Sequence, residues 1–154
     1  MLFAKKERRI VRVLVVEDEP LVAFDVEHFL RSEGFEIVAT VEGVEHALAV
    51  LEEAEGVDLV LVDVNLADGS GVDVARAAHA RGVAVLYVTG ECPDDARALA
   101  VGHLAKPYSQ RDMLAAIKVV DRVLSGGGTP KRLPGSFTLF FDPVAYPSAA
   151  STAS

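Results

Sequence analysis

The sequence predicts an α/β fold, a central five-stranded parallel sheet with helices on both faces. Three observations predict it. Short apolar runs rich in β-branched residues recur at residues 10–16, 35–41, 57–62 and 83–88. Stretches with helical spacing alternate with them. The first, third and fourth runs are almost unbroken, which is the pattern of strands covered on both faces. Strand and helix in strict alternation give parallel pairing through right-handed crossovers.

The elements follow in order. Residues 10–16 form a first strand. Leu21, Val22, Phe24, Val26, Phe29 and Leu30 put a broad apolar face on a first helix, which Gly34 stops. Residues 35–41 form the second strand. Val44, Ala47, Leu48 and Leu51 mark a helix stopped by Gly56. The third strand covers 57–62. Val72, Val74, Ala75 and Ala78 mark the next helix, stopped by Gly82. The fourth strand at 83–88 precedes a short helix at 93–100. Residues 101–104 are a weak fifth strand. A long final helix spans 107–124, with Pro107 near its first turn.

The chain of 154 residues suffices for one domain with a real core. Its net charge is −8, held in an acidic body between mildly basic ends. Residues 1–9 are a basic extension, 10–125 the domain, and 126–154 a Gly- and Pro-rich tail too short for a second one. Within that tail the apolar segment from Phe137 to Phe141 is expected to dock, as a strand or sticky segment, on the body or on a second copy of the chain. The charge argues against nucleic-acid binding. One cysteine, Cys92, excludes a disulfide framework. No apolar run reaches the ~18 residues a membrane helix needs. The expected location is cytoplasmic.

Sheets of this kind place ligands beyond the carboxyl ends of the strands, where strand order reverses. Glu17, Asp18 and Glu19 follow the first strand, and Asp63 with Asn65 the third. Thr89 follows the fourth, and Lys106 the fifth. Clustered carboxylates repel one another, and a divalent cation with hard oxygen ligands relieves this. One carboxylate is then a nucleophile toward a phosphoryl group, with an ammonium and a hydroxyl to answer the new charge.

Those residues, with the Gly69-Ser70-Gly71 turn and Lys106-Pro107-Tyr108, carry a resemblance to the receiver domain of two-component response regulators, over about residues 10–124. The resemblance implies a flavodoxin-like (βα)5 receiver. It makes Asp63 the phospho-acceptor, Thr89 the switch hydroxyl and Lys106 the ammonium that contacts the phosphoryl. It implies Mg2+ held by Glu17, Asp18, Asp63 and the Asn65 carbonyl, with Asp18 the most direct ligand. The segment from Val85 to Gly90 is similar to a single-domain subgroup named for a Phe-Ala-Thr-Gly motif, in which an aromatic follows the Lys-Pro as Tyr108 does here. One departure stands out. Many receivers have Tyr or Phe three residues before the lysine, where this chain has His103.

The expected function is a single-domain response regulator. A sensor histidine kinase or histidine phosphotransfer protein phosphorylates Asp63, and a downstream protein reads the change on the surface of residues 94–104 and the last helix. It is not an enzyme beyond phosphotransfer to itself and autodephosphorylation. No nucleic acid or membrane is expected as a partner; a homodimer is left open. A phosphate sink for a shared kinase is the alternative. A phosphohydrolase with an aspartate nucleophile fits poorly, because the acid-base aspartate it needs two residues on is here Asn65. A flavin- or nucleotide-binding protein fits poorly too, since Glu17-Asp18-Glu19 would repel phosphate.

Overall fold

The computed structural model describes residues 8–140. The strands are β1 (Arg12–Val16), β2 (Glu36–Val41), β3 (Leu59–Val62), β4 (Asn65–Leu66), β5 (Gly69–Ser70), β6 (Ala84–Thr89), β7 (Gly102–Ala105) and β8 (Phe137–Leu139). The helices are α1 (Pro20–Ser32), α2 (Val44–Glu53), α3 (Gly71–Ala80) and α4 (Gln110–Leu124), with a 3-10 helix at Asp94–Leu99. The main sheet runs β2-β1-β3-β6-β7-β8, parallel except for β8, which pairs antiparallel with β7. The small β4–β5 hairpin stands apart.

Side chains alternate across each strand, so one strand feeds two layers. Val13, Val15, Leu59, Leu61, Leu86 and Val88 point into a core under α1 and α4. Leu14, Val16, Val60, Val62, Val85 and Tyr87 point into a second core under α2 and α3. Unbroken apolar runs in β1, β3 and β6 are what a sheet with two covered faces demands.

The structure departs from the expectations at several ends. The short fourth helix is 3-10, closed by an Ala96 N–H to Pro93 carbonyl bond. The last helix begins at Gln110 rather than at Pro107, because the Ser109 hydroxyl caps it by accepting from the Asp112 N–H. Pro107 lies ahead of that cap, after a cis Lys106–Pro107 bond. The sheet has six strands rather than five. The sixth is β8, from the segment expected to dock; Phe141 and the basic residues 1–7 lie outside the described residues.

Candidate functional site

Strand order reverses between β1 and β3, since β1 lies beside β2 on one side and β3 on the other. Glu17 and Asp18 leave β1 at this point, and Asp63 leaves β3. Parallel register brings them together: Val16 pairs with Val62, and the Asp63 N–H donates to the Val16 carbonyl at 3.2 Å. One oxygen each of Glu17, Asp18 and Asp63 lies within 4.8 Å of the others.

Lys106 enters from the end of β7. Its Nζ donates to Asp63 Oδ2 at 2.7 Å and to Glu17 Oε1 at 3.1 Å. The Asn65 N–H holds Asp63 Oδ1 at 3.0 Å, and the Glu19 N–H holds Glu17 Oε2 at 3.1 Å. Glu17 and Asp63 are buried. Burial pushes the Glu17 carboxyl above its ordinary value, against the pull of the Glu19 N–H and the lysine. For Lys106, burial alone would lower the ammonium. The hydrogen bonds and charges of Asp63 and Glu17 outweigh this and hold it well above its ordinary value. The two carboxylates therefore keep a permanent counter-charge. Asp18 has no hydrogen bond or ion pair among the described residues, so its oxygens are the ones left for a ligand.

Thr89 ends β6, paired with Ala105, the residue before the lysine. It is fully buried, and its hydroxyl has no partner among the described residues. Its carbonyl is shared: the Lys106 N–H donates to it at 3.0 Å, and His103 Nε2 lies 2.9 Å away. His103 is thus tied to the Thr89 backbone, at the position where many receivers carry an aromatic ring.

Two contributors escaped the sequence reading. A Cβ on Gly71 would stand 2.0 Å from the Asp63 carbonyl, so only glycine lets α3 start against the acceptor's own backbone. The Asp68 carboxylate in the β4–β5 turn accepts from the N–H groups of Val44 and Glu45, capping α2, whose own N-cap residue is Gly43. The Gly69-Ser70-Gly71 turn was visible in the sequence; the contacts it makes were not. Glu19 occupies the N-cap position of α1 without a side-chain capping bond. Cys92 is a partly buried free thiol, pushed up by burial and so without thiolate character.

Beside the acidic cluster, a cleft of about 540 Å3 opens between α1 and α4, lined by Val22, Phe29, Lys106, Tyr108 and Met113 among others. Burial pushes the Tyr108 phenol up to about 12. Elsewhere on α1, Leu21 and Phe24 are largely exposed.

A five-stranded parallel core with a lysine-paired aspartate at its switch point defines a class of switch proteins, and comparison with known proteins agrees. The response regulator receiver domain family matches residues 13–118. The chain belongs to that family. It is 40% identical over 116 residues to the sensory transduction protein RegX3 of Mycobacterium tuberculosis, covering 71% of this chain and 50% of that protein. It is 34% identical over 116 residues to the transcriptional regulatory protein PdtaR of the same species, covering 70% and 55%. The chain thus spans about half the length of the curated relatives it matches. Among solved structures, a CheY-like receiver domain protein from Methanospirillum hungatei superimposes with a TM-score of 0.63 at 28% identity, over 71% of this chain and 91% of that one. The response regulator TrrA of Thermotoga maritima, in complex with Mg(2+)-BeF, superimposes with a TM-score of 0.64 at 26% identity, over 70% and 96%. Phosphorylation and Mg2+ binding are typical of this family. Among the described residues, no helix is long and apolar enough to cross a membrane.

Proposed function

We propose that the protein is a phosphorylation-controlled switch that takes a phosphoryl group on Asp63 from a histidine kinase or histidine phosphotransfer protein and signals through contact with another protein. The observation that carries this is the Lys106–Asp63 pair at 2.7 Å inside a three-carboxylate cluster. An ordinary structural ion pair does not need two further carboxylates beside it.

In the transfer, an Asp63 carboxylate oxygen attacks the phosphorus of a phosphohistidine. A P–O bond forms as the P–N bond breaks, and the nitrogen keeps the bonding pair and takes up a proton. The Asn65 N–H steadies the Asp63 oxygen that does not attack. Lys106 is released from one carboxylate oxygen and faces the phosphoryl instead. The buried Thr89 hydroxyl finds an acceptor in a phosphoryl oxygen. The residues present fit Mg2+: three hard carboxylates, one of them with no hydrogen bond or ion pair among the described residues, to which the Asn65 carbonyl would add a further hard oxygen. When bound, the cation supplies positive charge to the phosphoryl oxygens and offsets carboxylate repulsion. The chain turns over no substrate besides its own acyl phosphate. The exposed apolar side chains of Leu21 and Phe24 on α1, the helix that follows Glu17 and Asp18, suit the docking of a donor protein.

The test is incubation with a small phosphodonor and Mg2+, followed by mapping of the acid-labile adduct by mass. Labelling is expected on Asp63 alone and is lost in Asp63→Asn. Labelling of that variant at wild-type extent refutes the assignment. A reconstituted phosphotransfer assay then separates outputs. A phosphorylation-dependent protein complex supports contact signalling. Depletion of phosphate from a second regulator makes the protein a sink, and sequence-specific DNA binding by this chain overturns both.

A further inference from the structure

Beyond α4 the chain returns to the edge of the sheet. Residues 137–139 pair with β7 in the register Leu104↔Phe137, His103↔Thr138 and Gly102↔Leu139. The Ala105 N–H donates to the Ser136 carbonyl at 2.8 Å, and the Phe140 N–H to the Val101 carbonyl at 2.8 Å. Without the segment, this edge of β7 would present unpaired backbone groups.

The segment grips three elements at once. A Cβ on Gly102 would stand 2.6 Å from Phe137 Cε1 and 2.7 Å from the Thr138 carbonyl oxygen, so β7 is shaped to receive the Phe137 ring. That ring is buried in the core under α1 and α4. Phe140 lies on the other layer, with the Arg97 guanidinium of the 3-10 helix 4.4 Å from its ring centroid. The Ser136 hydroxyl donates to Asp112 Oδ2 of α4 at 2.9 Å. The surface expected to report the phosphorylation state is therefore the surface this segment holds.

Two of the gripped elements adjoin a residue that answers the phosphoryl. β7 runs directly into Lys106. The 3-10 helix follows Thr89 after a short loop. The Thr89 carbonyl is the shared acceptor of the Lys106 N–H and of His103, whose strand partner is Thr138. A Thr89 drawn toward Asp63 moves that carbonyl and strains both bonds. The segment itself is a three-residue strand at the sheet edge, joined to α4 by a connection that begins Gly126-Gly127-Gly128, and short edge elements are the ones that open locally.

We propose that residues 137–140 form a displaceable latch over the β7 edge, closed in the resting protein and released when Asp63 is phosphorylated. The proposal rests on the reading of Asp63 as phospho-acceptor. A latch that favours the resting state must, by linkage, weaken binding of anything that favours the active one.

The experiment uses the full chain with beryllofluoride and Mg2+ as the phosphoryl mimic, hydrogen exchange read by mass spectrometry, and Asp63→Asn as control. Exchange at residues 137–140 is expected to rise on adding the mimic, and only when Asp63 is present. Phe137→Ala and Gly102→Ala, which open the latch from either side, are expected to bind the mimic at least about fivefold more tightly. Protection around Asp63 with unchanged exchange at 137–140 overturns the latch and leaves the phospho-acceptor reading standing. Wild-type affinity in folded latch variants also overturns it. A wild-type protein that does not bind the mimic overturns both. Should either variant fail to fold, the exchange measurement on the wild type decides alone.

Discussion

Lys106→Met removes the only counter-charge that the described residues place on two buried carboxylates. The lysine lies 2.7 Å from Asp63 and 3.1 Å from Glu17, and the carboxylate side chains are 9% and 5% exposed. Breaking a fully buried pair by removing one partner costs about 3–5 kcal/mol, since the charge left behind is unpaired. The lysine itself is 25% exposed, so water reaches the gap and the loss falls to about 2–3 kcal/mol. For a chain of this size that is a fall in Tm of roughly 5–10 °C. The methionine keeps most of the aliphatic stem, so lost packing adds little. The assay is thermal unfolding in chelator-treated buffer and again with Mg2+. The deficit is expected in full without the metal and to narrow with it, because a divalent cation replaces the missing positive charge. A variant as stable as wild type in chelator would refute the reasoning: it would mean the cluster is solvated enough to need no counter-ion.

Three further outcomes are expected. Mg2+ raises the melting temperature of the wild type by mass action, and Asp18→Asn, which alters the carboxylate with no partner among the described residues, removes most of that rise; titration of Tm against Mg2+ reads it, and an unchanged rise in the variant counts against Asp18 as a ligand. Gly71→Ala drives a methyl group against the Asp63 backbone and is expected to destabilise by about 1–3 kcal/mol and to slow labelling of Asp63; urea unfolding beside a phosphodonor time course checks both. The Val44 N–H, seconded by that of Glu45, holds the Asp68 carboxyl below its ordinary value of 3.8. A carboxyl lowered on folding stabilises fully above its unfolded value and loses that contribution as pH falls through the folded one. Asp68→Ala is therefore less stable than wild type near neutrality, and the gap closes below about pH 4; Tm measured down the pH scale shows whether it does.

Much of the fold was legible because its signals are local. Unbroken runs such as residues 59–62 and 84–88 report strands with two covered faces, and the glycines at 34, 56 and 82, all at positive φ, report helix ends. The acidic residues and the lysine stand at strand ends, so the order of elements alone predicts that they meet. Less was legible where a boundary depends on a choice between competing bonds. The apolar run from residue 10 reads as strand throughout, yet the ladder with β2 starts at Arg12, while Ile10 gives its N–H to Asp121 and Val11 gives its N–H to Asp58. Pro107 looks like a helix start, but the nearest hydroxyl able to cap the orphan N–H groups is on Ser109.

The sequence by itself determined that Glu17, Asp18, Asp63, Thr89 and Lys106 stand at one edge of the sheet, because parallel pairing of β1, β3, β6 and β7 brings their carboxyl ends together. Only the tertiary structure decided how those residues are held. Lys106 lies far along the chain from both Asp63 and Glu17, and nothing local to any of the three states that one ammonium serves two carboxylates. The same holds for Phe137: its composition says only that it avoids water, while the missing side chain of Gly102 and the free edge of β7 decide where it goes. Apolar burial is non-directional, so pattern can foretell that a segment docks. Shape and unpaired backbone groups fix the place, and both exist only once the sheet has formed.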